Sequence, residues 1–375
     1  MLVLTIGTQA SASTWVFNVV RKIFAIHRPW ALSNMGEHGG TALTSLGRGT
    51  KDAVFKVHFL DQAMANLLLL ADSKVIVTHR DCRDVIVSND QRFGMSHQDT
   101  IRSLSRTLTD ILALPTDLQT LHLNYEDGFA SKLQTVQEIA DFIGLPIDGQ
   151  QASLIHADLA PRVIKNKISE WMMAHPELAE SDWDRTTQWH PNHLGDGLVG
   201  KWREQLPADI SLAAVQSLAP FYRPDWQSQH ITWKTELFLG QCGALMQPIV
   251  DLEISGEEKM LCWGPYLNLP VGRWRFKPLI KNLSTQKISV KADVATFAAG
   301  VGIINMNTFT LPSSPSEPPA LYADISDHRH TIEVRLQSLA DGRKGSIRFE
   351  GVEIEYLGET EKQPNSTASS VVDAS

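Results

Sequence analysis

Lys74-Val-Ile-Val-Thr-His-Arg80-Asp-Cys-Arg-Asp84-Val-Ile-Val-Ser88 is the stretch on which the fold turns. Its β-branched run Val75-Ile76-Val77 predicts a buried strand. A polar turn follows, and Asp81 or Asp84 suits the N-cap of a helix that carries Val85, Ile86 and Ser88. Arg80 then stands at the strand's carboxyl end, where open α/β sheets bind their ligands. Ser88 comes eight residues later, about two turns along the helix. A guanidinium fork and a hydroxyl converging there suit a phosphate. Taken alone, the stretch is explained better by Arg80 pairing with Asp81 or Asp84 beside an ordinary strand–helix turn.

The amino terminus changes that balance. Met1 to Ile6 is a second short apolar strand, followed by Gly7-Thr-Gln9-Ala10-Ser11-Ala12-Ser13-Thr14-Trp15 and the helical spacing of Val16–Ile26. Strand, small-residue loop and helix together aim backbone N–H groups and a helix dipole at an anion. Gly7, Ala12, Ser13 and Thr14 keep the spacing of a P-loop that lacks its second glycine and its lysine. Without that lysine, and with no clear magnesium-binding Asp, γ-phosphoryl transfer is poorly served.

These elements resemble the sulfotransferases that use 3′-phosphoadenosine 5′-phosphosulfate (PAPS). The matching segments are Gln9–Trp15, Lys56-Val-His58 after Ala53-Val-Phe55, Arg80 with Ser88, Leu123-Asn-Tyr125-Glu126-Asp127, and Gly197-Leu-Val-Gly200-Lys201-Trp202-Arg203. They fall in the family's order over about the first 205 residues. The resemblance implies a 5′-phosphosulfate held by the N–H groups of residues 11–15 with the Ser11, Ser13 and Thr14 hydroxyls, and an adenine near Trp15 and Tyr125. It implies a 3′-phosphate held by Arg80 and Ser88 and covered by Gly200, Lys201 and Trp202. His58 becomes the catalytic base and Lys56 the cation beside the transferring group, with no metal required. A neutral imidazole suits that proton transfer, and residues two apart on a strand share a face. One departure stands out: the family's first loop carries Lys or Arg where this chain has Ala10. Two functions follow, an active PAPS-dependent enzyme acting on a hydroxyl or amine of a glycan or other small acceptor, or a degenerate relative that binds nucleotide or glycan without efficient turnover.

Composition agrees with a folded enzyme and narrows its partners. The 375 residues are 43% apolar and 20% charged, with a net charge of −8, which argues against nucleic acid as the main partner. Three cysteines, Cys82, Cys242 and Cys262, are too few for a disulfide framework and lack metal-ligand spacing, so a reducing, cytoplasmic setting is expected. No apolar run is long enough for a membrane span, and the first one is short for a signal peptide.

The expected fold class is α/β, a P-loop-like, mostly parallel sheet flanked by helices, followed by an all-β, jelly-roll-like sandwich. Residues 1–236 are expected to form the nucleotide-binding catalytic domain, 237–358 the β-sandwich, and 359–375 a disordered tail. Gly36–Lys51 reads as a glycine-rich loop near the site. Pro161–Trp202, rich in Trp, Met and His, reads as a long irregular lid in which His190 and His193 are surface groups rather than a metal pair. From about Leu237 the apolar period becomes two, as in Ile288/Val290/Ala292/Val294 and Val352/Ile354/Tyr356. Trp263-Gly-Pro-Tyr266 through Trp274 resembles the opening of jelly-roll modules of bacterial glycan-active enzymes. Trp263 or Tyr266 would suit a sugar ring, and Trp274, inside an alternating strand, suits the core. The change of period predicts two separable parts, each with its own core.

Overall fold

Five apolar runs form a parallel sheet in a computed structural model that describes residues 1–35, 52–176, 184–297, 302–311 and 319–360. The loop expected at Gly36–Lys51, Trp183 and the tail beyond residue 360 lie outside the described residues. The strands are β1 (Leu2–Gly7), β2 (Leu32–Met35), β3 (Ala53–Val57), β4 (Ser73–His79) and β5 (Gln119–Asn124), in the order β2-β3-β1-β4-β5. All four pairings are parallel, with Leu4 opposite both Phe55 and Val75.

Both faces of the central strands are buried, which is why they read as unbroken apolar runs. Leu4, Ile6, Phe55, Val57, Val75 and Val77 pack with Met64 and Leu68 of helix α2 (Gln62–Leu70) on one face. Val3, Val54 and Ile76 meet helices α1 (Ser13–His27) and α5 (Leu133–Ile143) on the other. Helix α3 (Cys82–Phe93) is capped by Asp81, which accepts from Arg83 N–H, and ends at Gly94 in the left-handed region. Asp84 has a different task, described below. Helix α4 (His97–Leu112) starts on Ser96, and α5 ends at Gly144 as its sequence predicts.

Beyond α6 (Gly149–Asp158), the segment expected to be an irregular lid opens with a helix, α7 (Pro161–Ala174). Pro161 sits in its first turn, where a missing N–H costs nothing. Ile164, Ile168 and Met172, each four residues apart, turn one face to the core. The aromatic and methionine content masked that spacing. Helices α8 (Trp202–Gln205) and α9 (Ala208–Leu218) complete this part.

The remaining strands make two antiparallel sheets, as the alternating pattern predicts. They are β6 (Ile231–Trp233), β7 (Leu239–Gly240), β8 (Gly243–Ala244), β9 (Val250–Ile254), β10 (Lys259–Asn268) and β11 (Gly272–Asn282), then β12 (Ile288–Phe297), β13 (Ile303–Leu311), β14 (Leu321–Ile325), β15 (Thr331–Ser338) and β16 (Gly345–Gly358). One sheet runs β13-β12-β15-β10-β7-β8, and the other β14-β11-β16-β6, with β9 also on β16. Trp274 is fully buried and donates Nε1–H to Pro270 O at 2.9 Å, so it is core rather than a sugar platform. Tyr266 lies 5.5 Å from the Arg102 guanidinium, at the junction of the two parts.

Two features of that junction depart from the sequence reading. Strand β6 pairs with β16, Trp233 opposite Val352, so the sandwich begins before residue 237. Three residues are too few to display a period of two. The sandwich also does not keep its core to itself. A single apolar cluster runs from Val85 and Ile86 of α3, Leu104 of α4 and Leu218 of α9 through Trp226 and Trp233 to Trp274, Val334 and Phe349.

Polar bonds reinforce this seam. Asn268 N–H donates to Ser105 Oγ, and Arg102 Nε donates to Pro265 O, both at 3.1 Å. Asp110 of α4, with no exposed surface, accepts from Leu60 N–H at 2.8 Å, from His328 Nε2 at 2.9 Å and from Arg106 Nε at 3.0 Å. Its carboxylate thus joins the sandwich to the backbone just after β3.

Candidate functional site

Gly7 ends β1, and His58, Arg80 and Tyr125 follow the carboxyl ends of β3, β4 and β5, so the parallel sheet delivers them to one edge. The register puts Thr5 opposite Lys56, one step before that edge. Gly7 permits the close approach of β1 to β4, because a Cβ there would stand 1.9 Å from Thr78 Oγ1. The loop after it is pinned by Thr8 N–H to Thr78 O at 3.2 Å. It turns into α1 through Ala10 (φ 56°) and Ala12 (φ 63°), two alanines in the left-handed region. That backbone brings Ser13, Thr14 and Trp15 to the wall of a cavity of about 1010 Å³. Trp15 N–H bonds back to Ala12 O at 3.0 Å, whereas the N–H groups of Ser13 and Thr14 precede the first intrahelical bond, which suits an anion.

The same cavity carries basic groups. Arg80, 4% exposed, donates to Ala10 O and Leu198 O, both at 2.9 Å, and lies 4.2 Å from the Tyr125 ring centroid. Its Nε is buried with no hydrogen-bond partner, as expected of a site built for an anion. Ser88, also buried, lines the same cavity. Lys201, 8% exposed, reaches it from the late loop and donates to Gln91 Oε1 at 2.8 Å. Asp84, fully buried, holds that loop by accepting from Gly200 N–H at 2.6 Å and Trp202 N–H at 3.1 Å.

His58 donates Nδ1–H to Gly7 O at 2.9 Å, and Lys56 Nζ lies 3.3 Å from Nε2. The first bond fixes the tautomer and leaves the Nε2 lone pair toward Lys56. Burial, followed by the charge of Lys56, pushes the His58 pKa down to about 3, with a smaller push from Arg92. His58 is therefore a neutral base at ordinary pH. His190, on the same cavity, is pushed to about 4 by burial, Arg92 and Lys56.

Lys56, His58, Ser13, Thr14, Trp15, Arg80, Ser88, Tyr125 and Lys201 thus line one cavity. Three expected contacts take other roles. The Ser11 hydroxyl turns inward, bonding Thr8 O at 2.5 Å and Thr78 Oγ1 at 2.6 Å, because the close β1–β4 approach puts both within its reach. The Trp202 ring is stacked by Arg83 at 3.5 Å and flanked by Arg203 at 4.8 Å, and it packs on the apolar cluster of the seam. Gly200 acts through its backbone, bonded to Asp84 with φ 80°.

The cavity also holds residues that the sequence reading passed over. Asn89 donates to Gln9 Oε1 at 2.5 Å, and Gln9 donates to Ser103 Oγ at 2.9 Å, tying the first loop to α3 and α4. Arg92 donates Nε–H to Asn192 O at 2.6 Å, and burial and then Arg80 lower its pKa to about 10. The available signal was helical spacing, since Arg92 lies one turn beyond Ser88 in α3.

Among the described residues, no helix is long and apolar enough to cross a membrane, and no group of three or more His, Cys, Asp or Glu is placed to hold a metal. Residues 49–216 match the family described as the sulfotransferase domain. Comparison with curated proteins gives no match. Among solved structures, the chain is similar to retinol dehydratase in complex with retinol and PAP, at 17% identity and TM-score 0.45, over 60% of this chain and 81% of that one. It is similar to a mouse sulfotransferase complexed with PAP, at 13% identity and TM-score 0.42, over 56% and 80% of the two chains. A family 11 carbohydrate-binding module from Clostridium thermocellum gives 14% identity and TM-score 0.18, over 32% of this chain and 93% of that one.

Proposed function

We propose that this chain is a sulfotransferase that moves a sulfuryl group from PAPS to a hydroxyl or amine of a glycan or other small acceptor. The observation that carries the reading is the convergence of Lys56 and His58 with Arg80, Ser88 and the first turn of α1 on one cavity. The buried, unpartnered Arg80 Nε and the loop N–H groups fit a doubly phosphorylated nucleotide. PAPS, when bound, would supply the sulfuryl group and a phosphate leaving group. Ser13, Thr14 and the N–H groups around them would hold its 5′ end, and Arg80, Ser88 and Lys201 its 3′-phosphate. Trp15 and Tyr125 offer ring faces to the adenine. His58 Nε2 takes the acceptor proton, and the Lys56 ammonium stands where charge develops on the transferring oxygens. Approach of an anionic donor offsets the positive charges that depress the His58 pKa, which makes the imidazole a stronger base in the loaded site.

Incubation with labelled PAPS and an acceptor panel tests this reading. Transfer is expected in wild type and lost in Lys56→Ala and His58→Ala, with nucleotide affinity retained within a few-fold. Robust turnover that survives both substitutions would remove the mechanism. The second reading, a nucleotide or glycan binder without efficient turnover, is favoured by Ala10 alone. It predicts negligible transfer in wild type and a gain of tenfold or more, about 1.4 kcal/mol, in Ala10→Lys. For the domains, we propose a catalytic part ending before β6 and a sandwich spanning residues 231–358.

A further inference from the structure

The cavity holds more positive charge than the nucleotide reading uses. Arg92 lies four residues after Ser88 on α3, about 6 Å further along the helix axis. It is half-buried, and its Nε is fixed by Asn192 O of the short turn Pro191–His193 rather than by the phosphate-binding loop. The guanidinium lies 4.9 Å from the Phe93 ring centroid, and among the described residues its two terminal nitrogens form no hydrogen bond, leaving the planar fork that matches paired oxygens of a carboxylate or sulfate. The charged groups acting on it are Arg80 and Tyr125, not a carboxylate. Two carboxylates that line the cavity are already engaged: Glu126 accepts from Asp81 N–H, and Asp196 accepts from Leu198 N–H and Lys201.

Arg92 is also close to the reacting end. Its charge acts on both His58 and His190, and the His190 ring lies 5.8 Å from the ring of Phe93, the next residue in α3. Lys56, His58, Arg92 and His190 all line this cavity, with Lys56 Nζ 3.3 Å from His58 Nε2 and Arg92 one helical turn beyond Ser88.

We infer that Arg92, with His190 beside it, forms an anion subsite for an acidic group carried by the acceptor, a carboxylate or sulfate ester near the hydroxyl or amine that faces His58. The name acceptor rests on the sulfotransferase reading, whereas the anion subsite rests on the cluster alone. The nucleotide's two phosphate ends have their own donors, and Arg92 is held by the 190–192 segment, which contributes to neither. An acidic substituent placed there would offset the charge that depresses His58 and raise the basicity of Nε2 as the acceptor binds.

Calorimetry on the full chain saturated with 3′-phosphoadenosine 5′-phosphate (PAP) tests the subsite, with benzoate, its neutral isostere benzamide and inorganic sulfate as probes. Wild type is expected to bind benzoate and sulfate but not benzamide. Arg92→Gln should weaken both anions at least tenfold while PAP affinity stays within about twofold. The absence of anion binding in PAP-saturated wild type, or equal binding by the variant, overturns the inference. A tenfold loss of PAP affinity in Arg92→Gln also overturns it, by assigning the guanidinium to the nucleotide. Arg92→Lys, which keeps charge but not the fork, is expected to bind both anions with intermediate affinity and serves if the Gln variant does not fold. If PAP fails to bind wild type, the nucleotide reading falls. The same titration on Arg80→Gln without PAP then still reads the Arg92 subsite, and its outcomes count in the same way.

Discussion

The parallel sheet and the antiparallel sandwich bury their apolar faces in different ways. The parallel sheet is covered by helices drawn from its own stretch of chain, in two clusters whose buried members among the described residues end at Trp189. The sandwich interior is continuous with α3, α4 and α9, helices that belong in sequence to the other part. A change in hydrophobic period therefore marks where strand pairing changes, not where a core ends. The helices α3 and α4 serve both sides: α3 carries Ser88 and Arg92 into the cavity and turns Val85 and Ile86 toward the sandwich.

The largest effect expected from breaking this arrangement is loss of folding. A chain ending at Leu237 removes β7–β16 and exposes the apolar faces of α3, α4 and α9. It should be insoluble, or should lack a cooperative thermal transition, and a soluble, nucleotide-binding fragment would restore the picture of two independent cores. Next comes Asp110, a buried carboxylate with three partners. Asp110→Ala leaves the Arg106 charge and the Leu60 N–H uncompensated and should cost about 3 kcal/mol, read from urea midpoints. If Asp110 also positions the catalytic strand, His328→Ala should lower kcat without a matching change in nucleotide affinity. A purely structural link would move the midpoint alone.

Acid should weaken the α/β part at intermediate magnitude. His58, His79 and His190 sit at about 3, 4 and 4, chiefly because burial disfavours the charged ring. Between those values and the ordinary histidine pKa of about 6.5, the unfolded chain binds more protons than the folded one. Stability is then fully present above about pH 6.5 and falls as the pH drops through that window, measurable as a falling urea midpoint. PAP binding should move the His58 titration, followed by ring-proton resonances, back toward the ordinary range. The smallest effect concerns the loop. Ala12→Gly relieves a left-handed alanine but frees the unfolded chain, for a net gain of about 0.5–1 kcal/mol, checked by thermal midpoint.

Much of the α/β part was legible because its signals are local. The run Val75–Val77, the Arg80–Ser88 spacing and the Gly7–Trp15 loop each lie within one strand–turn–helix unit, and the sheet delivered them to one edge. What escaped depends on neighbours distant in sequence. Ser11 turns inward because Thr78 stands beside it, and Trp202 is turned from the cavity lining toward Arg83, which offers a stacking partner. Arg92 gains meaning only when Asn192 and His190 arrive. The start of the sandwich was hidden for the same reason, since β6 finds its partner more than a hundred residues later.

That last pairing has a consequence for how the molecule comes into being. Among the described residues strand β6 pairs with β16 alone, and Trp233 at its end belongs to the cluster shared with α3 and α4. During synthesis the cavity-lining residues, which end at Lys201, all emerge before residue 205, yet α3, which carries Ser88, keeps an uncovered apolar flank until residues near 350 emerge. The nascent chain thus passes about 150 residues of translation with the scaffold of this cavity unfinished, at about 5–20 residues per second a window of roughly 7–30 s. A stop codon anywhere in that interval yields a chain that contains every site residue and lacks the surface that lets them stand.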